Sequence, residues 1–203
     1  MTDLISSLLD EIICYILSFV PSQQVVATSV LSKRWNILWP SVPSFDFDIF
    51  TEDFWSLNDE KTYNTFYSSV ASFLVRRGDQ PLHRFRLRSD IFFDDSKLFN
   101  KWIMDAVSGS GRLQHLDLFL SPRIVVPSVL FSCKTLVVLK LEYIRVESIS
   151  LVDLPLIKVL HLNYIFFLVG VDLSQLLTGS PYLEVLKVMS TKFLPKEPTS
   201  PRV

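Results

Sequence analysis

One spacing of apolar residues, apolar-x-x-apolar-x-apolar, recurs along most of this 203-residue chain. Its last two apolar positions are two residues apart, which is the period of a β-strand with one buried face. Successive copies begin 31, 23, 21 and 26 residues apart, so each strand has room for a return segment before the next. The five copies lie at residues 82–87, 113–118, 136–141, 157–162 and 183–188.

Irregular periods in the twenties with this spacing indicate leucine-rich repeats, in which each repeat supplies one strand to a curved parallel sheet. A single repeat cannot bury its own apolar face, so the copies must stack. An ordinary α/β domain with leucine-rich strands is the alternative, and five copies make coincidence the weaker explanation. Two helices are predicted, one before the first of these strands, from about residue 59 to 77, and one between the first two, from about 96 to 107.

The first forty residues carry more apolar surface than three short helices can bury among themselves. Residues 7–20 form two neighbouring apolar stripes at helical spacing. The stretch is too short to span a membrane and contains Asp10 and Glu11, so we expect one stripe to pack inside the domain and the other to meet a partner. The stripes are Leu8, Ile12, Ile16 and Phe19, and beside them Leu9, Ile13, Leu17 and Val20.

Capping residues and prolines divide this segment into three helices. Ser7 opens a sequence with the spacing of a capping box, and Pro21 ends the first helix. Ser22 is predicted to cap a second helix over residues 23–31, and Ser32 to cap a third helix that a proline stops.

Composition narrows the functional classes. Apolar residues make up 49% of the chain and charged residues 20%, which is typical of a globular protein. The net charge of −1 gives no electrostatic reason to expect nucleic acid or a membrane surface as a partner. Cys14 and Cys133 are expected to be buried free thiols in a reducing compartment. No signal peptide is evident, so we expect an intracellular protein of the nucleus, the cytoplasm or both.

Catalytic and metal sites are not indicated. The three histidines fall in different predicted strands, and no cluster of Cys, His and carboxylate residues has metal-ligand spacing. No phosphate-binding glycine loop or serine-nucleophile motif occurs. The sequence therefore predicts neither enzymatic activity nor a metal or other cofactor.

The N-terminal segment resembles the F-box of plant F-box/leucine-rich-repeat proteins, most specifically in the sequence VATSVLSKRW at residues 26–35. The segment LTGSPYLEVLKV at residues 177–188 is similar to the repeat signature of that family. The resemblance implies an α+β chain, with a boundary where alternating Phe and Asp residues predict an extended segment. The expected parts are a three-helix F-box in 1–45, a leucine-rich-repeat α/β solenoid with a parallel sheet in 46–193, and a disordered tail in 194–203.

The resemblance implies a substrate-receptor subunit of a Skp–cullin–F-box ubiquitin ligase. The F-box would dock on the Skp-type adaptor and through it on a cullin, while the repeats hold a protein substrate and other subunits supply the chemistry. Each adaptor-facing candidate has membership of the F-box core as its alternative. By family position the candidates are Leu8, Leu9, Ile12, Leu17, Pro21, Val30, Ser32, Trp35 and Leu38, of which Leu8, Leu17 and Trp35 are the expected anchors.

The chain departs from the family pattern in two places. Leu9 stands where the family has a proline that is pre-organised for the first helical turn, so we expect weakened docking. Family members commonly continue with more repeats and a further domain, whereas this sequence ends at Val203 after a proline-rich segment. Two alternatives to a working receptor therefore stay open. One is a truncated decoy that occupies the adaptor without delivering substrate, and the other is a repeat-based binding scaffold.

The strand residues that alternate with the buried positions form the predicted substrate surface. The central column of this surface is mildly basic, which favours an acidic or polar protein segment as the ligand. A solvated face without any recognition role is the alternative. The candidate residues are Arg84, Arg86, His115, Asp117, Lys140, His161 and Lys187.

Overall fold

The computed structural model describes residues 5, 7–49, 60–89, 96–109, 111–149, 151–168 and 171–195. Short N-terminal helices lead into a six-stranded parallel sheet, which confirms the expected α+β class. The helices are α1 (Asp10–Leu17), α2 (Ser22–Ala27), α3 (Lys33–Leu38), α4 (Glu60–Arg77), α5 (Ser96–Ser108) and α6 (Ser174–Thr178). The strands are β1 (Ser44–Asp48), β2 (Arg84–Arg88), β3 (His115–Phe119), β4 (Val138–Glu142), β5 (Arg145–Val146), β6 (Val159–Asn163), β7 (Phe166–Leu168), β8 (Val185–Met189) and β9 (Lys192–Leu194).

The main sheet places its strands in chain order, β1-β2-β3-β4-β6-β8, and every neighbouring pair is parallel. All five predicted copies of the repeat form strands of this sheet. The pairing register aligns equivalent residues, so Leu116, Leu139 and Leu160 are neighbours in one buried column. The short strands β5, β7 and β9 follow the last three main strands and form a second parallel sheet.

The first strand is a sixth copy of the repeat, which the sequence analysis missed. Val42, Phe45 and Phe47 have the same spacing as the five other copies, and all three side chains are buried. Phe45 stacks on Phe85 of β2 with the ring centroids 4.3 Å apart. This copy was not recognised because it has phenylalanine at positions where most of the other copies have leucine. The strand begins before residue 45, where the boundary between the two parts was predicted.

The return segments explain the irregular repeat length. The helices predicted before β2 and β3 are present as α4 and α5, and Gly78 follows α4 with a left-handed φ of 55°. Residue 59, the predicted start of the first of these helices, lies outside the described residues. Later returns are shorter: a 3-10 helix at Ser128–Ser132 precedes β4, and α6 precedes β8.

Two of the three predicted helix caps are wrong. The first helix begins at Asp10 rather than Ser7, because Leu9 takes the N-cap position in an extended conformation and no side chain caps the helix. The second helix begins at Ser22 itself, with Pro21 at the N-cap. It ends at Ala27 and continues as a 3-10 helix over Thr28–Val30, so it is shorter than predicted.

The predicted cap of the third helix is confirmed, and Ser22 has a different use. The Ser32 hydroxyl accepts the backbone N–H of Trp35 at 3.5 Å, as an N-cap residue does. The buried Ser22 hydroxyl accepts the backbone N–H of Asp46 at 2.8 Å. This bond ties the second helix to the first strand of the sheet.

A buried arginine joins the N-terminal helices to the sheet. The Arg77 guanidinium, at the end of α4, donates to the backbone carbonyls of Val42, Gln80 and Pro81. Burial lowers the pKa of Arg77 to about 10. The ring of Trp39 packs 5.3 Å from that of Phe73 on the same helix. The two predicted parts therefore share one core rather than being linked by a free segment.

The last strand is covered much less than the others. Leu186 of β8 is 46% exposed, whereas its neighbour Leu160 in β6 is fully buried. The reason is that no further described strand lies beside β8, whereas the other edge strand, β1, packs against the N-terminal helix α2. The predicted tail overlaps β9 at Leu194, and residues 196–203 lie outside the described part of the chain. Among the helices of the described ranges, none has both the length and the apolar character needed to cross a membrane.

Candidate functional site

The two apolar stripes differ in burial within α1. Ile13 and Leu17 are buried in the core of the domain. Ile12, Ile16 and Phe19 are exposed, and so is Tyr15, whose ring meets that of Phe19 edge-on at 5.1 Å. Before the helix the pattern changes, because Leu9 of the buried stripe is 69% exposed and Leu8 of the other stripe packs partly against the core, so the division into a buried and an exposed stripe holds within α1 itself.

Exposed apolar residues also occur beyond α1. Val30 is 85% exposed at the end of the 3-10 helix, and Ile37 of α3 is 73% exposed. Isolated apolar residues on a surface are ordinary, but many large ones within one short segment mark an interaction site. We define the N-terminal apolar face as Leu9, Ile12, Tyr15, Ile16, Phe19, Val30, Leu31 and Ile37.

An ion pair fixes the two helices that carry this face. Arg34 of α3 donates to Asp10 at the start of α1, with Nε–Oδ1 and Nη2–Oδ1 distances of 2.9 and 2.5 Å. Its Nη2 group also donates to the backbone carbonyl of Leu8 at 2.5 Å. One side chain therefore holds the beginning of α1 against α3.

The predicted adaptor-facing residues separate into three groups. Leu17 and Leu38 are buried and belong to the core, which was the alternative considered for each residue. Leu8 and Trp35 are partly buried and pack against that core. The exposed candidates are Leu9, Ile12, Pro21, Val30 and Ser32.

Sequence reasoning left five residues of the N-terminal apolar face out of the adaptor-facing set. Ile16 and Phe19 were recognised as members of a stripe but were not assigned to the surface, because periodicity cannot tell which of two apolar stripes a helix buries. The omitted residues are Tyr15, Ile16, Phe19, Leu31 and Ile37.

The strand residues predicted to form the substrate surface lie side by side in the sheet. The register of the sheet places its central residues side by side on successive strands, about 4.8 Å apart. In strand order from β1 to β8 this central column is Asp46, Arg86, Asp117, Lys140, His161 and Lys187. The neighbouring candidates Arg84 and His115 are paired with each other in the adjacent column.

Charges on the β1–β2 part of this face pair with one another. Arg86 donates to Asp46 and to Asp48, both at 2.9 Å, and Arg88 Nε lies 3.7 Å from Asp48. Burial alone would lower the pKa of Arg86, but the charge and hydrogen bond of Asp46, with the charges of Asp48 and Asp117, raise it. Arg86 is therefore committed to neighbouring carboxylates within the chain.

Charges on the β4–β8 part are less compensated. Among the described residues, neither Lys140 nor Lys187 has a carboxylate oxygen within 4.0 Å. His161 lies between them, and burial together with these two lysines lowers its pKa, against a raising effect of Asp117. Burial, Arg84 and Lys140 likewise lower the pKa of His115.

A row of aromatic rings borders the same face where the strands end. Tyr143 packs against Phe119 with centroids 5.8 Å apart, and against Tyr164 at 5.3 Å. The Arg88 guanidinium lies 5.0 Å from the Phe119 ring centroid. Tyr143 and Tyr164 each follow a main strand and have left-handed φ values of 58° and 50°, which non-glycine residues rarely adopt.

Thiols and metal ligands add no further site in the described ranges. Cys14 and Cys133 are free; Cys133 is buried, while Cys14 is only partly buried. Burial, with Asp10 and Glu11, raises the pKa of the Cys14 thiol. Among the residues described, no group of three or more His, Cys, Asp or Glu side chains is placed to hold a metal ion.

Known proteins resemble both the N-terminal helices and the repeat sheet of this chain. A model of the F-box domain matches residues 5–47. An F-box/LRR-repeat protein of Arabidopsis thaliana is 37% identical over 190 residues, which are 91% of this chain and 49% of the relative. F-box/LRR-repeat protein 13 and an F-box/FBD/LRR-repeat protein of the same plant are each 36% identical, covering 92% of this chain and 41% of their own length. No solved structure matches the chain.

The match to the F-box domain covers α1 to α3 and reaches into the first strand, since β1 begins at Ser44. The similarity to the plant relatives continues through most of the repeat sheet. The chain spans half or less of the length of these curated relatives. It is a plant F-box/LRR-like protein with an F-box domain at its N-terminal end.

Proposed function

We propose that the chain is the substrate-receptor subunit of a Skp–cullin–F-box ubiquitin ligase, with the N-terminal apolar face docking on the Skp-type adaptor. The observation that carries this proposal is the division of α1 into one buried and one exposed apolar stripe. Burying a large apolar side chain fully is worth roughly 1.5–3 kcal/mol before ordering costs are subtracted. A face made of eight such side chains therefore favours a protein partner that covers it.

The docking residues of this proposal differ from those expected from family position. Leu17 and Leu38 support the face from the core, and Trp35 is partly committed to that core. The proposed contacts are the N-terminal apolar face together with the exposed Pro21 and Ser32.

The role proposed for the chain is to hold a substrate near the ligase rather than to catalyse a reaction. The adaptor, and through it a cullin, would be bound at the helices, and the substrate at the repeat sheet. The Ser22–Asp46 hydrogen bond and the Arg77 contacts to Val42 support this role, because they fix the docking helices relative to the sheet. A fixed relation between two binding surfaces is what a proximity-based mechanism requires.

Adaptor binding is tested by co-purification with a purified plant Skp-type adaptor. The double variant Ile16→Asp, Phe19→Asp should lose the adaptor, because both side chains are exposed and two carboxylates would have to be desolvated in an apolar interface. Val75→Asp is the matched control, since Val75 is 80% exposed on α4, outside the face. Retention of the adaptor by the double variant, or its equal loss from the control, contradicts the proposal.

Substrate delivery separates the receptor from the decoy that occupies the adaptor unproductively. The chain, the adaptor and a cullin are assembled with the ubiquitin-transfer enzymes, and proteins from plant extract are screened for modification that depends on the repeat sheet. A protein modified only in the presence of the wild-type chain supports the receptor. An assembled complex that modifies no protein supports the decoy.

A further inference from the structure

We propose that the β4–β6–β8 part of the sheet face binds an extended protein segment through acidic side chains. We name Lys140, His161 and Lys187 the basic strip, in which the two lysines supply the positive charge. The inference deepens the proposed function, because it gives the chemical class of the substrate segment that the receptor would hold.

The pattern of ion pairs within the chain distinguishes this part of the face from the β1–β2 part. The six-residue central column is aligned along its whole length, but Arg86 is held by two carboxylates at 2.9 Å. Lys140 and Lys187 have no such partner among the described residues. An incoming acidic group would therefore have to displace an existing ion pair at β2, but not at β4 or β8.

The spacing of the basic strip suits an extended chain that crosses the strands. Lys140 and Lys187 are two strands apart, so their backbones are separated by about 10 Å. A segment in the extended polyproline II conformation advances about 3.1 Å per residue and presents every third side chain on the same face. Acidic residues at every third position of the bound segment would thus face the two lysines, with His161 between them.

The aromatic row lies next to the basic strip and gives it a boundary. Tyr143 and Tyr164 follow β4 and β6 directly and are both partly exposed. Their left-handed backbone is unfavourable for tyrosine, and Ser190 has it at the same position after β8, so it belongs to the turn that ends each of these strands. This conformation holds two ring faces together at 5.3 Å, where they can contact the carbon atoms of a bound segment.

Carboxylates fit this surface better than phosphates or nucleic acid. Phosphate recognition favours the planar fork of arginine, and on this face Arg86 is already paired with Asp46 and Asp48. Glu142 also lies on the face, and the chain as a whole has a net charge of −1, which disfavours a polyanionic backbone. Two lysines and a neutral histidine provide charge for a few carboxylates only.

The test measures binding of labelled peptides to the full chain in complex with its adaptor, by fluorescence anisotropy at low salt. One peptide carries Glu at every third position among glycines, and its counterparts carry Gln or phosphoserine at the same positions. We expect the Glu peptide to bind at least about tenfold more tightly than the Gln peptide. The double variant Lys140→Glu, Lys187→Glu should abolish this difference.

A matched double variant shows whether the location matters. Lys97→Glu, Lys101→Glu makes the same charge change on exposed positions of α5 and should leave peptide binding unchanged. The inference is overturned if both double variants weaken binding equally, if the Glu and Gln peptides bind alike, or if only the phosphoserine peptide binds. Adaptor co-purification of the same variants separates this failure from failure of the proposed function. Peptide binding by the free chain with no adaptor binding would reject the ligase role alone.

Discussion

The N-terminal helices and the repeat sheet bury their apolar residues to very different extents. From β2 to β6 both inward columns of the main sheet are buried, whereas Val30 and Ile37 of the helices are 85% and 73% exposed. A strand with alternating residues has one apolar face, and the neighbouring repeat covers it. A helix with two apolar stripes needs a second layer, which three short helices cannot provide. From β2 to β6 the sheet thus covers its own inward apolar residues, while the helices present a surface suited to a partner.

Truncating one buried and one exposed apolar side chain gives the largest expected contrast. Leu139→Ala in β4 should lower the free energy of unfolding by about 3 kcal/mol, because it leaves a cavity in a fully buried column. Ile37→Ala on the N-terminal apolar face should change it by less than about 0.5 kcal/mol. Urea denaturation of the isolated chain measures both values. Equal losses would show that Ile37 belongs to the core and that the comparison is wrong.

Arg77 tests whether the two regions unfold together. Arg77→Ala should lower the free energy of unfolding by about 2 kcal/mol, because three carbonyl groups at the junction lose a charged donor. Arg77→Lys keeps the charge without the planar fork and should recover only part of the loss. Helix and sheet signals in the same denaturation experiment should move together. Separate transitions for the two regions would contradict a shared core.

Leu9→Pro should stabilise the N-terminal helices slightly. Leu9 already has a φ of −66°, which proline imposes, and its N–H has no backbone acceptor among the described residues. We expect a gain of about 0.5 kcal/mol in thermal or chemical denaturation, together with tighter adaptor binding. An unchanged adaptor affinity would remove the prediction that leucine at this position weakens docking.

The histidines of the sheet face give the smallest expected effect. His115 and His161 have lowered pKa values, so the unfolded chain binds more protons than the folded chain just below the ordinary histidine pKa of about 6.5. Stability from this source is present above that pH and is lost as the pH falls toward the folded pKa values. Thermal unfolding between about pH 7.5 and 5.5 measures the loss. His115→Gln, His161→Gln should flatten the profile, and an unchanged slope would contradict the assignment.

The strand pattern was predictable because alternation in a parallel sheet leaves little freedom. Leu116 and Leu118 could only point to one face together, and the register of the sheet followed from the repeat. The copy at Val42, Phe45 and Phe47 was missed because its residue types differ, although its spacing is the same. Spacing was therefore a better guide than residue identity.

The helical caps and the docking residues were harder to predict. Serine is a residue type that often caps helices, but the Ser22 hydroxyl instead accepts a tertiary hydrogen bond from the backbone N–H of Asp46. Leu17 and Ile16 are adjacent in sequence and equally apolar, and only the packing against the rest of the domain decides which is buried. Family position marks where a docking segment lies, but does not resolve these neighbours.

The docking of the N-terminal apolar face is tested most directly by calorimetric titration of a Skp-type adaptor into two single variants. Val30→Asp and Val75→Asp make the same chemical change at positions that are 85% and 80% exposed, so neither should destabilise the fold. The account predicts that Val30→Asp weakens adaptor binding by about a hundredfold, or ~2.7 kcal/mol, and that Val75→Asp leaves it unchanged. Wild-type affinity in Val30→Asp, with the fold intact, would contradict it.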